Sequence, residues 1–301
     1  MKIGPFTPPD VRDAILWKQE HSHELPVVLL PDMYLSIAGF TIRIAAHKGV
    51  RLNFVDERVL APFVVEPMES PDFTMKLETV PEQFDIPEGT LGNVLGELGP
   101  DKWWIKTHNW RLQWEKARPT VVTCKYFSST LEGLGALRLF LAHQMLSNGR
   151  GLLLHASAAL HDGRTFVFLG HSGAGKSTSA YHTPGQLLSD EIVALVSVPN
   201  GKLAARGTPF GGEHFPCSTQ GPNPEFLFVE KSEHNATKSL ITRNAVARLL
   251  SQVVLFPFAP LEMWDSAAAV VSQIIENHPV AILEAKKDGS FWKELLSCPI
   301  C

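Results

Sequence analysis

The sequence is short of three things that define whole classes of protein: cysteine, an excess of basic charge, and long apolar runs. Only 4 of its 301 residues are cysteine, too few for the disulfide framework of a small secreted protein. Lys and Arg number 27 against 31 for Asp and Glu, which gives a formal net charge of -4. Proteins that bind nucleic acid broadly show a basic excess or stripe, so we expect no nucleic-acid partner.

Apolar runs end before they reach the length needed to cross a bilayer. The best candidates, residues 27–44 and 251–264, are interrupted by Pro31 and by Pro257. The segment Met1–Asp13 has no apolar core of the kind found in secretory signals. We therefore expect no membrane partner and a cytoplasmic location.

The chain is rich enough in apolar residues to build a sizeable core. Hydrophobic residues make up 45% of it and charged residues 19%, a balance typical of folded domains. At about 150 residues per domain, the length predicts two domains. A change of pattern near Ser129 separates a strand-rich domain over 1–128, a candidate for substrate or partner recognition, from a second domain over 129–301.

Short apolar or alternating runs predict strands throughout the first domain. They lie at 26–30, 36–44, 51–55, 73–80, 103–114 and 120–127. Residues 81–100 are rich in proline, glycine and acidic side chains, and they predict a loop or lid. The tryptophans at 103, 104, 110 and 114 fit either a strand core or a binding face, and both interpretations stay open.

The second domain is predicted to begin with a helix and a hairpin. Apolar residues at helical spacing from Leu131 to Met145 predict the helix. Leu152–Leu160 and Thr165–Leu169 predict the two arms of the hairpin, joined by a tight turn. Further strands are predicted at 186–189, 192–198, 202–206, 226–230 and 280–284, and helices at 244–254, 261–277 and 291–296.

A glycine-rich loop follows the hairpin. Gly170–Thr178 matches the phosphate-binding pattern G-x-x-x-x-G-K-[ST], in which glycines let successive N–H groups surround phosphate oxygens. Lys176 is expected to reach the β- and γ-phosphates, and Ser177 to bind Mg²⁺. The candidate nucleotide-binding residues of the loop are Gly170, Ser172, Gly173, Ala174, Gly175, Lys176, Ser177 and Thr178.

Two further features are candidates for the chemistry. Asp190 and Glu191 follow the strand predicted at 186–189, where an acidic side chain can bind Mg²⁺ or accept a proton from an attacking hydroxyl. We expect His155 on the hairpin arm antiparallel to the strand that leads into the loop, and therefore near the γ-phosphate. The structural alternatives are a solvated strand end for the carboxylates and a core histidine for His155.

Four motifs in this order resemble the HPr kinase-related family. They are Leu154-His155-Ala156-Ser157, the loop Gly170–Thr178, Leu188-Ser189-Asp190-Glu191 and the run from Gly207 to Glu213. The resemblance covers about residues 130–300. It implies an α/β fold with a P-loop domain and a mixed sheet, like that of HPr kinase/phosphorylase and phosphoenolpyruvate carboxykinase, preceded by the smaller strand-rich domain.

The resemblance implies a kinase that uses ATP and Mg²⁺ to phosphorylate a serine-like hydroxyl of a peptide, a protein or a small molecule. Asp190 takes the place of the family's catalytic acidic residue, and His155 that of its active-site histidine. Lys176 acts with them, while Ser177, Asp190 and Glu191 are the metal ligands. Glu191 stands where the bacterial enzyme has a second aspartate, and its side chain reaches one methylene further.

The prediction also includes two basic residues, and three functions other than a kinase stay open. Arg206 and Lys231 are candidate phosphate or substrate contacts, each of which also fits a solvated surface. The elements that grip HPr in the bifunctional enzyme are not identifiable, so we expect another acceptor. A nucleotide-sensing regulator without transferase activity, a carboxykinase-like enzyme and a plain nucleotide hydrolase stay open, as does a homo-oligomer.

Other metal-type patterns in the sequence carry less weight. Cys298 and Cys301 have the spacing of a chelating pair but no second pair accompanies them. His21 and His23 have no evident third ligand. Glu213 and the neighbouring histidine at 214 are weaker candidates still, so the predicted chemistry depends on the loop, the two carboxylates and His155.

Overall fold

The computed structural model describes residues 28–29, 32–46, 51–52, 59–90, 95–127, 133–199, 202–211, 217–240, 242–256 and 258–297. Over these residues the chain is a mixed α/β protein in which strands predominate. The strands form four sheets, and none of the sheets mixes strands from before and after residue 130.

An eight-stranded sheet dominates the first part of the chain. The strands there are β1 (Val28–Leu29), β2 (Met33–Ile37), β3 (Phe40–Ala46), β4 (Arg51–Leu52), β5 (Val64–Val65), β6 (Phe73–Val80), β7 (Leu95–Leu98), β8 (Lys102–Lys106), β9 (Trp110–Glu115) and β10 (Arg118–Phe127). A short 3-10 helix, Ala61–Phe63, precedes β5. The sheet order is β5-β2-β3-β6-β10-β9-β8-β7, and β1 pairs separately with β4.

Alternation of buried and exposed side chains gives this sheet an inner and an outer face. In β6, which the sequence predicted with its correct bounds, Phe73 and Met75 are buried and the residues after each are not. β9 repeats the pattern with Trp110 and Trp114. The alternation of apolar and polar residues that predicts these strands therefore reflects the burial of one face of the sheet.

Two of the predicted strands are each divided by a turn. Ala38 and Gly39 adopt positive φ angles of 53° and 81°, so the run 36–44 belongs to the hairpin of β2 and β3. The run 103–114 likewise becomes β8 and β9, which pair antiparallel. Trp104 therefore lies opposite Gln113 on the outer face. The predicted loop at 81–100 also contains a strand, β7.

One nearly all-buried helix covers the inner face of the sheet. This helix, α1 (Gly133–Ser147), contacts β9 and β10 on one side and the second part of the chain on the other. Its Phe140 packs edge-to-face on Phe73 and on Trp114, with ring centroids 5.2 and 5.6 Å apart. A single hydrophobic core consequently runs from the first sheet through α1 into the second part.

The second part of the chain contains two sheets and four helices within the described residues. Its strands are β11 (Gly151–His155), β12 (Ser157–His161), β13 (Arg164–Leu169), β14 (Gln186–Ser189), β15 (Ile192–Val198), β16 (Lys202–Arg206), β17 (Gln220–Pro222), β18 (Pro224–Lys231), β19 (Ala236–Ser239) and β20 (Val280–Ala285). Its helices are α2 (Lys176–Tyr181), α3 (Thr242–Leu250), α4 (Leu261–Asn277) and α5 (Phe291–Ser297).

The larger sheet of this part is mixed. Its order is β14-β12-β13-β18-β20-β19. The strands β13, β18 and β20 run parallel to one another, while β12, β14 and β19 pair antiparallel with their neighbours. The smaller sheet, β11-β15-β16-β17, is antiparallel throughout.

The predicted hairpin arm Leu152–Leu160 is wrong as a single strand. The chain passes from β11 in the smaller sheet to β12 in the larger sheet at Ala156. Of β11 and β12, it is β12 that pairs with β13, so His155 does not lie on the arm antiparallel to the strand that leads into the loop. A continuous apolar run looks the same in sequence whether one buried strand or two use it.

Most other predicted elements of the second part are present. The helix α4 has the predicted bounds, whereas α3 ends at Leu250 because residues 251–254 turn to bind β11. The short strands β17 and β19 were not predicted. No helix in the described ranges is both long and apolar enough to cross a membrane.

The core between the two parts contains a buried histidine that generates a prediction about pH. His143 of α1 lies against Trp103 of the first sheet, 4.2 Å between ring centroids, and stacks on Phe256 of the second part at 6.4 Å. Burial lowers the pKa of His143 to about 3. Because the unfolded chain binds this proton near pH 6.5, the stability contributed by neutral His143 is lost as pH falls from about 6.5 towards 3.

We expect His143→Phe to reduce the pH dependence of stability. The ring keeps its aromatic neighbours but has nothing to protonate, so the fall in Tm between pH 7.5 and pH 5 should be smaller than in the wild type. Circular dichroism melting curves measure the difference. The variant His108→Gln, which removes an exposed histidine, is the control, and an equal loss of Tm in His143→Phe and wild type would contradict the prediction.

Candidate functional site

The topology brings five chain segments to one edge of the larger sheet, the edge at which its parallel strands end. The ends of the parallel strands β13, β18 and β20 lie side by side there. The start of β12 and the end of β14 meet the same edge, because both strands run antiparallel to their neighbours. The carboxyl ends of parallel strands are where open α/β sheets commonly bind ligands.

A cavity of about 630 Å³ opens at this edge. Its lining residues come from the glycine-rich loop and the segments beside it: His155, Ser172, Gly173, Ala174, Gly175, Lys176, Ser177, Thr178, Ser179, Asp190, Glu191, Val229, Lys231, Ala285, Lys286, Lys287 and Phe291. The structure thus brings together every predicted site residue except Gly170 and Arg206. The volume lies within the range typical of small-molecule sites.

Three glycines shape the loop between β13 and α2. Gly170 has a φ of 142°, and a Cβ at that position would lie 3.0 Å from the Cβ of Ala174. Gly173 and Gly175 have φ angles of 77° and 108°, values that side chains resist. The loop therefore needs glycine both for its backbone angles and for its close approach to itself.

The Lys176 side chain lies back along the loop. Its Nζ donates to the carbonyl oxygens of Gly170 at 2.9 Å and His171 at 3.3 Å. Burial lowers the pKa of Lys176, and the charge of Glu191 acts in the opposite direction. A third N–H of the ammonium group is available for an anion in the cavity.

Asp190 and Glu191 occupy the crossing from β14 in the larger sheet to β15 in the smaller one. Asp190 is buried, and its backbone carbonyl accepts hydrogen bonds from the hydroxyls of Ser157, at 2.6 Å, and Ser177, at 2.9 Å. The Ser177 hydroxyl gives its proton to that carbonyl, so its oxygen lone pairs are left for another ligand.

Burial and charge shift the protonation of the neighbouring groups. Burial raises the pKa of Glu191, with Asp190 adding to the rise and Arg138 and Lys176 opposing it. Burial also lowers the pKa of His155, and the charges of Lys176 and Arg138 lower it further. His155 is therefore a neutral imidazole at neutral pH, with one ring nitrogen that donates a hydrogen bond and one that accepts.

The structure identifies functional candidates that the sequence analysis missed. Lys286, Lys287 and Phe291 line the cavity from the segment after β20. The indole N–H of Trp292 donates to the carbonyl of Ser179 at 3.0 Å, which fixes α2 against α5. The two lysines follow a parallel strand, so the rule that led to Asp190 and Glu191 could have found them.

Arg206 does not reach this cavity. Its guanidinium donates to the side-chain oxygen of Gln220, with the Nε contact at 2.7 Å. It lines a separate cavity of about 220 Å³ that is also bounded by Ser36 and Phe63 of the first part. The candidate residues Glu213, His214, Cys298, Cys301, His21 and His23 lie outside the described residues.

The donor set of the cavity suits magnesium better than a metal held by protein alone. Among the described residues, no group of three or more His, Cys, Asp and Glu side chains is arranged to hold a metal ion. Two carboxylates, Asp190 and Glu191, and the Ser177 hydroxyl do line the cavity. Mg²⁺ typically takes one or two carboxylates and completes its shell with water and phosphate oxygens.

Gln252 connects the loop to the segment after α3. With its amide oriented so that both ends meet complementary groups, its nitrogen donates to the carbonyls of Gly170 at 2.9 Å and His155 at 3.2 Å. Its backbone carbonyl accepts from the N–H of His155 at 2.7 Å. One residue therefore ties the first glycine of the loop to the end of β11.

We expect Gln252→Met to loosen the glycine-rich loop. The side chain keeps its length but removes one of the two donors to the Gly170 carbonyl and the side-chain donor to the His155 carbonyl. Each such hydrogen bond contributes about 0.5–1.5 kcal/mol. Hydrogen–deuterium exchange of the peptides that cover 170–178 should become faster. Gln273→Met on α4 is the matched control, and unchanged exchange in Gln252→Met would show that the amide does not hold the loop.

Comparisons with known proteins were made for the whole chain. No family model matches it, and no curated protein matches it.

Proposed function

We propose that the protein is an ATP-dependent kinase of the HPr kinase-related type, which transfers the γ-phosphate to a serine-like hydroxyl of a peptide, a protein or a small molecule. One observation carries the proposal. The glycine-rich loop with Lys176 and the carboxylate residues Asp190 and Glu191 line the same cavity. A loop of this type offers a phosphate site, and a carboxylate beside it offers a proton acceptor.

The charges of the cavity support a polyphosphate ligand. Lys176 contributes from the loop, Lys231 from the end of β18, and Lys286 and Lys287 from the segment after β20. Together they offer positive charge from three of the segments that line one cavity. Such placement matters more for an anionic ligand than the overall charge of the chain does.

The residues present fit Mg²⁺. Ser177, Asp190 and Glu191 would hold it, because a hydroxyl and two carboxylates are the hard oxygen ligands that this ion prefers. When bound, the ion would neutralise charge on the β- and γ-phosphates. The Ser177 hydroxyl already donates its proton to the Asp190 carbonyl, which leaves its oxygen suited to a cation.

In the proposed transfer, Asp190 accepts the proton of the acceptor hydroxyl as that oxygen attacks the γ-phosphorus. The new oxygen–phosphorus bond forms while the bond from the γ-phosphorus to its bridging oxygen breaks, and ADP leaves. Lys176 stabilises charge on the phosphate oxygens, and neutral His155 donates a hydrogen bond near the γ-phosphate. Positioning and charge neutralisation supply most of the rate enhancement in reactions of this class.

A nucleotide-sensing regulator without transferase activity is the second candidate. The observation that favours it is the path from the cavity to the first sheet. Arg138 of α1 acts electrostatically on His155 and Glu191, and the same helix packs on the inner face of that sheet. A change of charge in the cavity could reach the first sheet through α1.

We expect Asp190→Asn to separate binding from transfer. The asparagine keeps the backbone carbonyl that Ser157 and Ser177 bind but cannot accept the proton, so transfer should fall by roughly a hundredfold to ten-thousandfold. The affinity for ATP with Mg²⁺, measured by calorimetry, should fall far less than transfer does, because Ser177 and Glu191 remain to hold the ion. Transfer is measured with labelled ATP, Mg²⁺ and a library of serine-containing peptides, read by mass spectrometry for phosphate adducts.

Two variants serve as controls. Lys176→Met should abolish ATP binding, whereas Asp162→Asn, an exposed aspartate on the turn before β13, should leave both measurements unchanged. Near wild-type transfer by Asp190→Asn would show that this carboxylate is not the base. ATP binding without any transfer would favour the regulator, and phosphate release without an acceptor would favour a hydrolase.

A further inference from the structure

The outer face of the eight-stranded sheet carries a row of cations on adjacent strands. Lys125 of β10 lies directly opposite Arg111 of β9, and Arg111 lies directly opposite Lys106 of β8. We call these three residues the cationic row. Neighbouring strands are about 4.8 Å apart, so the row spans roughly 10 Å.

Such a row costs stability unless something compensates it. Like charges directly opposite each other on neighbouring strands are destabilising. Glu78 forms an ion pair with Lys125 at 3.5 Å, and Lys106 donates to the backbone carbonyl of Asp85 at 2.6 Å. Those contacts serve the two ends of the row, and none of the ion pairs among the described residues includes its centre, Arg111.

Arg111 is held in place but not neutralised. Its guanidinium lies over the Trp104 ring, 5.4 Å from the centroid, and its Nε is buried with no hydrogen-bond partner among the described residues. A guanidinium stacked on an indole keeps its donor edge fixed and available for a carboxylate. This also explains why Trp104 faces outward while Trp103 and Trp114 pack in the core.

A cavity of about 340 Å³ lies at the row. It is lined by Arg111, Lys125, Gln113, Thr123, Val80 and Phe84. Two cations, two neutral polar groups and two apolar side chains therefore face the same space. The combination suits a carboxylate attached to an apolar stem better than a small inorganic anion.

We propose that the cationic row binds an acidic peptide segment in an extended conformation. In an extended chain, side chains two residues apart lie on the same side and about 6.6 Å from each other. Carboxylates at alternate positions can thus reach Arg111 and one of its two neighbours. Phe84 and Val80 cover the aliphatic parts of those side chains, and the peptide's negative charge offsets the repulsion along the row.

The acidic residues around the row favour a peptide over a nucleic acid. Glu78 pairs with Lys125, and Glu97 accepts from the indole N–H of Trp104 at 3.3 Å. Glu78 lies directly opposite Lys125 and so extends the line of the row. Both carboxylates would repel a phosphate backbone that follows the row, and the chain as a whole has a net charge of -4. A peptide with separate carboxylates can avoid them, whereas a strand of regularly spaced phosphates cannot.

The test is a binding measurement on the full chain without nucleotide. The probe is a fluorescein-labelled octapeptide of alternating Glu and Ala, and the reference is the same peptide with Gln in place of Glu. Fluorescence anisotropy should show binding of the first peptide only. Arg111→Met should weaken it about tenfold or more, the loss expected for a charge-assisted hydrogen bond, and Arg111→Lys should weaken it less.

Controls separate this site from diffuse attraction and from the other cavity. Lys102→Met removes an exposed cation at the opposite end of β8 from Lys106 and should leave binding unchanged, as should Lys176→Met in the glycine-rich loop. An equal loss in Lys102→Met, a loss only in Lys176→Met, or tighter binding of an eight-residue oligothymidylate through Arg111 would each overturn the proposal. Melting curves confirm that every variant is folded.

Discussion

The chain crosses between the two sheets of its second part at two places, from β11 to β12 and from β14 to β15. These crossings lie side by side, and the candidate site depends on the contact between them. A strand that passes from one sheet to another must leave its hydrogen-bond ladder, so the backbone groups at the crossing need other partners. Here the crossings supply them to each other. The N–H of Ala156 donates to the Glu191 carbonyl at 2.9 Å, and the Ser157 hydroxyl donates to the Asp190 carbonyl. His155 and the carboxylate pair are fixed by this contact before any ligand is considered.

The helix α1 makes the two parts of the chain a single physical system. Its buried surface is shared between the first sheet and the second part, and His143 lies between aromatic rings contributed by each. Arg138, five residues earlier on the same helix, places positive charge near Glu191 and His155. Any rearrangement of the first sheet that shifts α1 must therefore also change the electrostatics of the cavity.

Local patterns in the sequence predicted what local physics determines. The strand β6 and the helix α4 were predicted with their observed bounds because each buries one face at the period of its own structure. The loop residues from Ser172 to Thr178 were found as a set because they are contiguous. The division of 152–160 between two sheets was not predictable, because it depends on β15 and β13 as pairing partners far along the chain.

The same distinction explains the site residues. Arg206 was a candidate because it directly precedes the run from Gly207 to Glu213, but a contact with Gln220 across the smaller sheet directs its side chain elsewhere. Gln252 carries no motif at all, and its role follows only from the fold that brings residues 251–254 to β11. The sequence thus predicted site residues that lie next to one another in a motif. It did not predict those whose orientation depends on hydrogen bonds between distant segments.

The fold also explains the distribution of charge in the cavity. The cavity holds lysines from the loop, from β18 and from the segment after β20, and carboxylates from the crossing of β14 and β15. A triphosphate would be attracted by the first group and repelled by the second, and a divalent cation would experience the reverse. Both ligands together satisfy both groups, which neither does alone. In the proposed function the charges of the cavity therefore match a metal–nucleotide complex better than a free nucleotide or a free metal ion, because the carboxylates favour the phosphates only through a bound cation.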